Sequence, residues 1–370
     1  MKTPYKIPFL DLSVKDPQFK EELLNSVNKV LTHGRIVLGP EVDEFEDRIA
    51  SICQKTYAVG VNSGTDALYL ALRALGIGPG DEVITTSLSW IATANAISLC
   101  GARPIFVDIT TDLTIDAELI EEAITSKTKA ILPVHFTGRL CEMDKIISIA
   151  DKYNLYLVED AAPAFGASYK GAKSGSFGHI SAFSMNPMKV FNSYGEAGAV
   201  VTDDKSLYEK VLSLRYAGTL DRENCVDPSV NGRIDTIQAS MLLVSLNRLS
   251  DKISRRRTIA KLYNNILQNI VDCPKEYEGY FNVYYTYTIL AEKRDELQRY
   301  LENKGVETKV QHPILMPYHT AYLNLPKPNI PVAENVVQRI LCIPAHEDLQ
   351  TPEIEYIAES IRTFYETVKS

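Results

Sequence analysis

The stretch that decides the architecture is residues 158–204, VEDAAPAFGASYKGAKSGSFGHISAFSMNPMKVFNSYGEAGAVVTDD. It opens on the end of an apolar run that closes in two acids, Glu159 and Asp160, and holds further apolar runs at 180–184 and 198–202. Short runs of this kind, bounded by Gly, Ser and Asn, read as buried strands. Working outward, similar runs recur at 57–61, 82–86, 105–108, 130–134 and 156–160. Between several of them lie 65–75, 91–99 and 143–153, where apolar residues return at three and four positions, the period of a helix. Strands alternating with helices predict βαβ units and an α/β fold: a large, mostly parallel sheet with helices on both faces.

After residue 204 the pattern changes. Helical segments are predicted at 207–214 and 236–267, then a polar stretch at 272–279, an alternating strand at 284–290 and a helix at 294–304. Thr351-Pro352-Glu353 signals a last helix through a capping hydroxyl, a proline at the first helical position and an early acid. The chain is therefore divided into a large α/β domain over 1–250, whose segment 1–30 is free to pack with the small domain, and a smaller α+β domain over 251–370.

Composition narrows the function. At 370 residues, 45% hydrophobic and 23% charged, the chain has the proportions of a globular protein and excludes disordered, collagen-like and coiled-coil architectures. The balance of 39 basic to 47 acidic residues gives −8, and Arg255-Arg256-Arg257 is the longest basic run, so nucleic acid is excluded as a partner. Cys53, Cys100, Cys141, Cys225, Cys273 and Cys342 form no C-x-x-C pair; they read as reduced thiols of a cytoplasmic protein. The first residues lack the apolar core of a signal peptide, and no run approaches the roughly 18 apolar residues of a membrane span, so neither export nor membrane insertion is expected.

Three elements carry chemistry. Ser63-Gly64-Thr65 stands where a strand gives way to a helix, and amides at a helix N-terminus, joined by Ser and Thr hydroxyls, suit a phosphate. Taken alone, the same residues describe an ordinary helix cap. Asp160 closes an apolar strand, and ligands of parallel sheets bind beyond the carboxyl ends of strands. Lys189 follows the strand at 180–184. Phosphate cradle, buried acid and loop lysine are together what pyridoxal phosphate (PLP) requires: an anchor, a group that keeps the ring nitrogen protonated, and an amine for a Schiff base.

The run at 158–204 closely resembles the DegT/DnrJ/EryC1/StrS family of sugar aminotransferases, PLP enzymes of fold type I. The resemblance extends along the chain through Ile7-Pro8-Phe9-Leu10-Asp11-Leu12, Leu38-Gly39-Pro40-Glu41-Val42, the Ser63 cradle, Gly78-Pro79-Gly80-Asp81-Glu82-Val83-Ile84 and Asn231-Gly232-Arg233. It implies that Lys189 holds the cofactor and that Asp160 pairs with its ring nitrogen. It assigns the phosphate to Ser63, Gly64, Thr65 and Ser184, and the stacking position to Trp90, the single tryptophan. Asn231, which otherwise reads as a turn residue, is implied to reach the neighbouring subunit's phosphate in a homodimer.

Two departures stand out. Pro163 occupies a position where the family usually has Gln on the cofactor's ring hydroxyl, and 311–319 replaces a histidine-tyrosine-proline tract. The resemblance implies transfer of an amino group, with L-glutamate as donor, to the keto group of a nucleotide-linked hexose. A cyclitol or amino-shikimate ketone is an alternative acceptor, and a regulatory protein on the same fold is the reading from a different class. Relatives that remove a hydroxyl carry His in place of Lys189, so Lys189 argues against that chemistry.

Overall fold

The structure is a computed structural model that describes residues 5–369. Its main sheet contains β1 (Tyr57–Val61), β2 (Glu82–Thr86), β3 (Arg103–Val107), β4 (Thr128–Leu132), β5 (Tyr156–Asp160), β6 (Ile180–Ser184) and β7 (Gly198–Thr202). Their spatial order is β1-β7-β6-β5-β4-β2-β3. Only β7 runs against the others, inserted between β1 and β6; the pairs from β6 to β3 are parallel.

Helices α1 (Pro17–His33), α2 (Pro40–Ile52), α3 (Gly64–Ala74), α4 (Ala92–Leu99), α5 (Met143–Tyr153), α6 (Lys205–Arg215) and α7 (Thr236–Leu246) surround this sheet. Successive strand residues point to opposite faces. Ile84 and Leu157 join Phe45 of α2, Ile146 of α5 and Leu242 of α7 in one core, whereas their neighbours Val83 and Val158 join Leu68 of α3, Ile97 of α4 and Val211 of α6 in another. The unbroken apolar runs seen in the sequence are the consequence of burial on both sides.

The predicted helix at 236–267 is two helices. α7 stops at Leu246 and α8 (Leu249–Leu267) begins after Arg248, whose φ of −106° leaves the helical range and whose guanidinium reaches Asp16 and Glu22 of the N-terminal segment. Leu246 and Leu249 flank the break and enter the same core, so apolar spacing gives no sign of it. α8 then leaves that core after Ile253 and enters a second one at Ile259.

This second core belongs to the smaller α+β domain. It gathers β8 (Tyr287–Leu290) paired antiparallel with β9 (Ile340–Ile343), α9 (Arg294–Asn303) and α10 (Thr351–Lys369). β8 is shorter than the predicted 284–290 because Tyr284 has a φ of +49°, outside the extended region. Ile7 is also buried here: its N–H donates to the Gly305 carbonyl at 2.9 Å, while α1 lies far away against α7 through Ser26 and Ser240.

Candidate active site

Because β1, β5 and β6 point the same way and β7 opposes them, Val61, Gly198 and Ser184 form one register row at the carboxyl edge of the sheet, with Asp160, the last residue of β5, opposite Ala182 two positions short of that row. Above this edge lies a cavity of about 820 Å³ between the two domains. Ser63, Gly64, Thr65, Trp90, Asp160, Ser184 and Lys189 all line it; Asn231 does not.

The cradle is built by close approach. Ser63 is extended and caps α3, its Oγ accepting the Asp66 N–H at 3.1 Å. A Cβ on Gly64 would lie 2.4 Å from Ser184 Cβ, and one on Gly198 would lie 2.5 Å from the Ser63 carbonyl oxygen. Glycine at these two positions lets the N-terminus of α3 sit directly on β6 and β7. The first amides of α3 have no acceptor within the helix and face the cavity side, beside the Ser184 and Thr65 hydroxyls.

Of the two adjacent acids on β5, strand alternation sends one to each face. Glu159 turns away and is saturated, accepting from the N–H groups of Gly175, Phe177 and Gly178, from Ser181 Oγ and from His135 Nε2 at 2.9 Å. The Cys141 N–H donates to His135 Nδ1, which places the imidazole proton on Nε2. Asp160 faces the cavity, where its carboxylate accepts from Thr93 Oγ1 at 2.8 Å and from the Ala162 N–H at 3.2 Å. Burial pushes the Asp160 carboxyl up, and the Thr93 hydroxyl, the Lys189 charge and the Ala162 amide offset this only in part.

Lys189 lies in the loop between β6 and β7, which is braced by the Ser193 Oγ and N–H donating to the Met185 carbonyl at 2.6 and 2.7 Å. The lysine is half-buried, with Nζ 4.3 Å from the centre of the Tyr285 ring. Across the cavity Trp90 is 61% exposed, its ring 5.7 Å from that of His312, which in turn packs 5.6 Å from Phe136. Burial, followed by the Lys189 charge, pushes His312 down to about 4, so this imidazole is an uncharged aromatic wall at neutral pH.

With this geometry in place the comparisons with known proteins are direct. Residues 17–362 match the DegT/DnrJ/EryC1/StrS aminotransferase family. The chain belongs to that family. It is 37% identical over 368 residues to the dTDP-3-amino-3,4,6-trideoxy-alpha-D-glucose transaminase of Streptomyces venezuelae, covering 98% of this chain and 97% of that protein. It is also 37% identical, over 368 residues covering 97% of this chain and 98% of the other, to a protein of Geobacillus stearothermophilus named pleiotropic regulatory protein. The crystal structure of NtdA from Bacillus subtilis with bound cofactor PMP superposes with a TM-score of 0.92 at 31% identity, over 98% of this chain and 86% of that one. This sugar aminotransferase family member has fold type I and uses PLP.

The residues present fit that cofactor. Asp160 is a buried carboxylate whose direct partners are both neutral, so a protonated ring nitrogen would supply the missing charge. Glycine at position 64 brings the first amides of α3 up against Ser184, giving a compact set of donors suited to a phosphate, and the outer face of Trp90 is open for stacking. Pro163 is buried in the cavity wall and offers no donor, so the contact implied for a glutamine there is absent at this position. Asn231 is exposed outside the cavity, its Oδ1 accepting from Arg233 Nε at 2.7 Å, although the next residue is anchored beside the cradle by the Asn62 N–H donating to the Gly232 carbonyl.

Several site residues escaped the sequence reading. Thr93 lies three positions after Trp90 at the start of α4, and that spacing was the available signal. Tyr285 and Arg256 come from the other side of the cavity, brought in by packing of the small domain, and carry no local signature; His312 joins them from the altered tract at 311–319, which the sequence singles out without assigning this residue a role.

Proposed function

We propose that this aminotransferase moves an amino group from L-glutamate to the keto group of a nucleotide-linked hexose, in the cytoplasm, as a homodimer. The observation that carries the reading is the convergence of Lys189, Asp160 and the Ser63–Gly64–Thr65–Ser184 cradle on one cavity. The dTDP-sugar name of the Streptomyces venezuelae relative supports the acceptor class, and six free cysteines suit a reducing compartment. Among the described residues no helix is long and apolar enough to cross a membrane.

Bound PLP supplies an aldehyde carbon that takes up amines and a ring that delocalises the electron pair left when a C–H bond to the amine-bearing carbon breaks. With that group in place, Lys189 would hold it through Nζ and would be the base that takes the proton from the donor's α-carbon in the first half-reaction and the acid that gives one to the sugar carbon in the second. Asp160 holds the proton of the ring nitrogen, and Thr93 and Ala162 hold Asp160. The amides of Gly64 and Thr65 with the Ser184 hydroxyl would grip the phosphate, and Asn231, exposed outside its own cavity, would complete the cradle of the second subunit.

The test is incubation with L-glutamate, PLP and a panel of nucleotide-linked 3-keto and 4-keto sugars, read by mass spectrometry. A mass change for replacement of C=O by CH–NH2 is expected for at least one sugar. Amination of cyclitol or shikimate-type ketones alone would overturn the acceptor. The regulatory name of the Geobacillus stearothermophilus relative favours a second reading; a colourless protein that takes an amino group from no donor would support it.

A further inference from the structure

On the small-domain wall of the cavity stands His346, three residues after β9. It is 6% exposed, and neither ring nitrogen has a hydrogen-bond partner among the described residues. Buried polar side chains nearly always have at least one partner, so an imidazole with two unpartnered nitrogens in the wall of a cavity marks a place for a ligand group.

The neighbours of His346 define the charge of that group. Buried Arg256 donates through Nη2 and Nε to Glu347 at 2.9 and 3.1 Å, and Lys252 Nζ reaches the same carboxylate at 2.9 Å. Two cations share one anion, leaving the cluster with an excess of one positive charge. Farther out, Lys15 pairs with Asp11 at 2.9 Å and with Asp348 at 3.8 Å. Burial, followed by the Arg256 charge, holds His346 below its usual value, so it is neutral and offers one N–H donor.

The cluster is also coupled to the reacting amine. Arg256 Nη1 donates to the Tyr284 and Tyr285 carbonyls at 3.2 and 3.3 Å, and the Tyr285 ring lies against Lys189 Nζ. An uncommitted N–H donor in a positive field thus lines the same cavity as the lysine.

We propose that His346, in the field of Arg256, receives a carboxylate of the amino donor. The assignment rests on the transaminase reading above and adds where the donor is held. An amino acid entering this cavity must bring a carboxylate out of water, which requires a cation or strong donors in compensation. The keto sugar presents uncharged hydroxyls around its reacting carbon and needs no such field. Lys189 is engaged in the chemistry, whereas His346 is buried and uncommitted.

The experiment uses holoenzyme and follows each half-reaction separately by the absorbance of the bound cofactor. His346→Leu should raise the half-saturating concentration of L-glutamate about tenfold or more, the loss expected for one hydrogen bond to a charged group. It should leave half-saturation by the keto sugar within about twofold, since no sugar contact is removed. His346→Gln, which keeps an N–H donor, should recover most of the glutamate affinity. L-glutamine and L-isoglutamine, each with one carboxylate made an amide, identify which carboxylate is bound: wild type should discriminate against one of them and His346→Leu should lose that discrimination. Should the leucine variant fail to fold, His346→Ala, which adds no bulk, is read by the same criteria. Unchanged glutamate affinity in a folded variant, or equal weakening of both half-reactions, would overturn this assignment alone. A wild-type holoenzyme that takes an amino group from no amino acid would overturn the transaminase reading and this one with it.

Discussion

Replacing Gly64 by alanine should release the cofactor without unfolding the protein. The added Cβ would lie 2.4 Å from Ser184 Cβ, 2.9 Å from its Oγ and 3.0 Å from its Cα. Carbon atoms rest at about 3.5 Å or more, so α3 or β6 must retreat by about 1 Å. β6 is fixed on both sides by its ladders to β5 and β7, so the movement falls on the helix N-terminus. An amide that met a phosphate oxygen at about 2.8 Å would then stand at about 3.8 Å, beyond hydrogen bonding. Two amides, those of residues 64 and 65, are displaced together, and hydrogen bonds to a charged group contribute about 1.5–3 kcal/mol each. The PLP dissociation constant should therefore rise at least about a hundredfold. Overpacking should lower the stability of the apo protein by only about 1–3 kcal/mol. The assay is absorbance titration of apo protein with PLP, alongside thermal melts. Gly78→Ala is the control, since a Cβ there meets nothing closer than 3.9 Å. A folded Gly64→Ala protein that binds PLP within about threefold of wild type would refute the cradle argument, given that the estimate rests on two lost hydrogen bonds.

Lys189→Ala should lose the borohydride-trappable bond to PLP, and a covalent adduct surviving in the variant, detected by mass spectrometry, would mean another lysine carries the cofactor. Asp160→Asn should abolish amino transfer yet raise the melting temperature of the apo protein at pH 7. Burial raises the Asp160 pKa, so the folded state is penalised as pH climbs past the unfolded carboxyl's value and is not penalised below it. The advantage of the variant should accordingly vanish as pH falls below about 4; an advantage independent of pH would point to packing. Mixed dimers of Lys189→Ala with Asn231→Asp, each inactive alone, should regain activity because one of their two sites keeps both residues. Heterodimers shown to form but without activity would count against Asn231 acting across an interface.

The sheet was legible because burial on both faces writes each strand as a continuous apolar run, and the helices between them are amphipathic enough to show a period. The cradle, Asp160 and Lys189 were legible because each sits at a strand end, where topology alone places ligand chemistry. Residues delivered by the second domain were not. Arg256 sits in the basic triplet that the sequence shows only as its longest basic run, yet its guanidinium is buried and grips Glu347 and two carbonyls. His346 carries no local pattern, and its significance appears only once both nitrogens are seen to be free. The break between α7 and α8 was hidden for the opposite reason, since both helices feed one core and the spacing of leucines runs through it.

Helix α8 bears on how the molecule comes apart. Leu249 and Ile253 are embedded in the core of the large domain, and Ile259, Tyr263 and Leu267 in that of the small one, within a single uninterrupted helix. Melting either core exposes part of the other's packing surface, and the small core also holds Ile7 from the opposite end of the chain. Neither half can open as an independent cooperative unit, so amide hydrogens in β8 and β9 exchange only through an event that also frays α8 where it meets the large core.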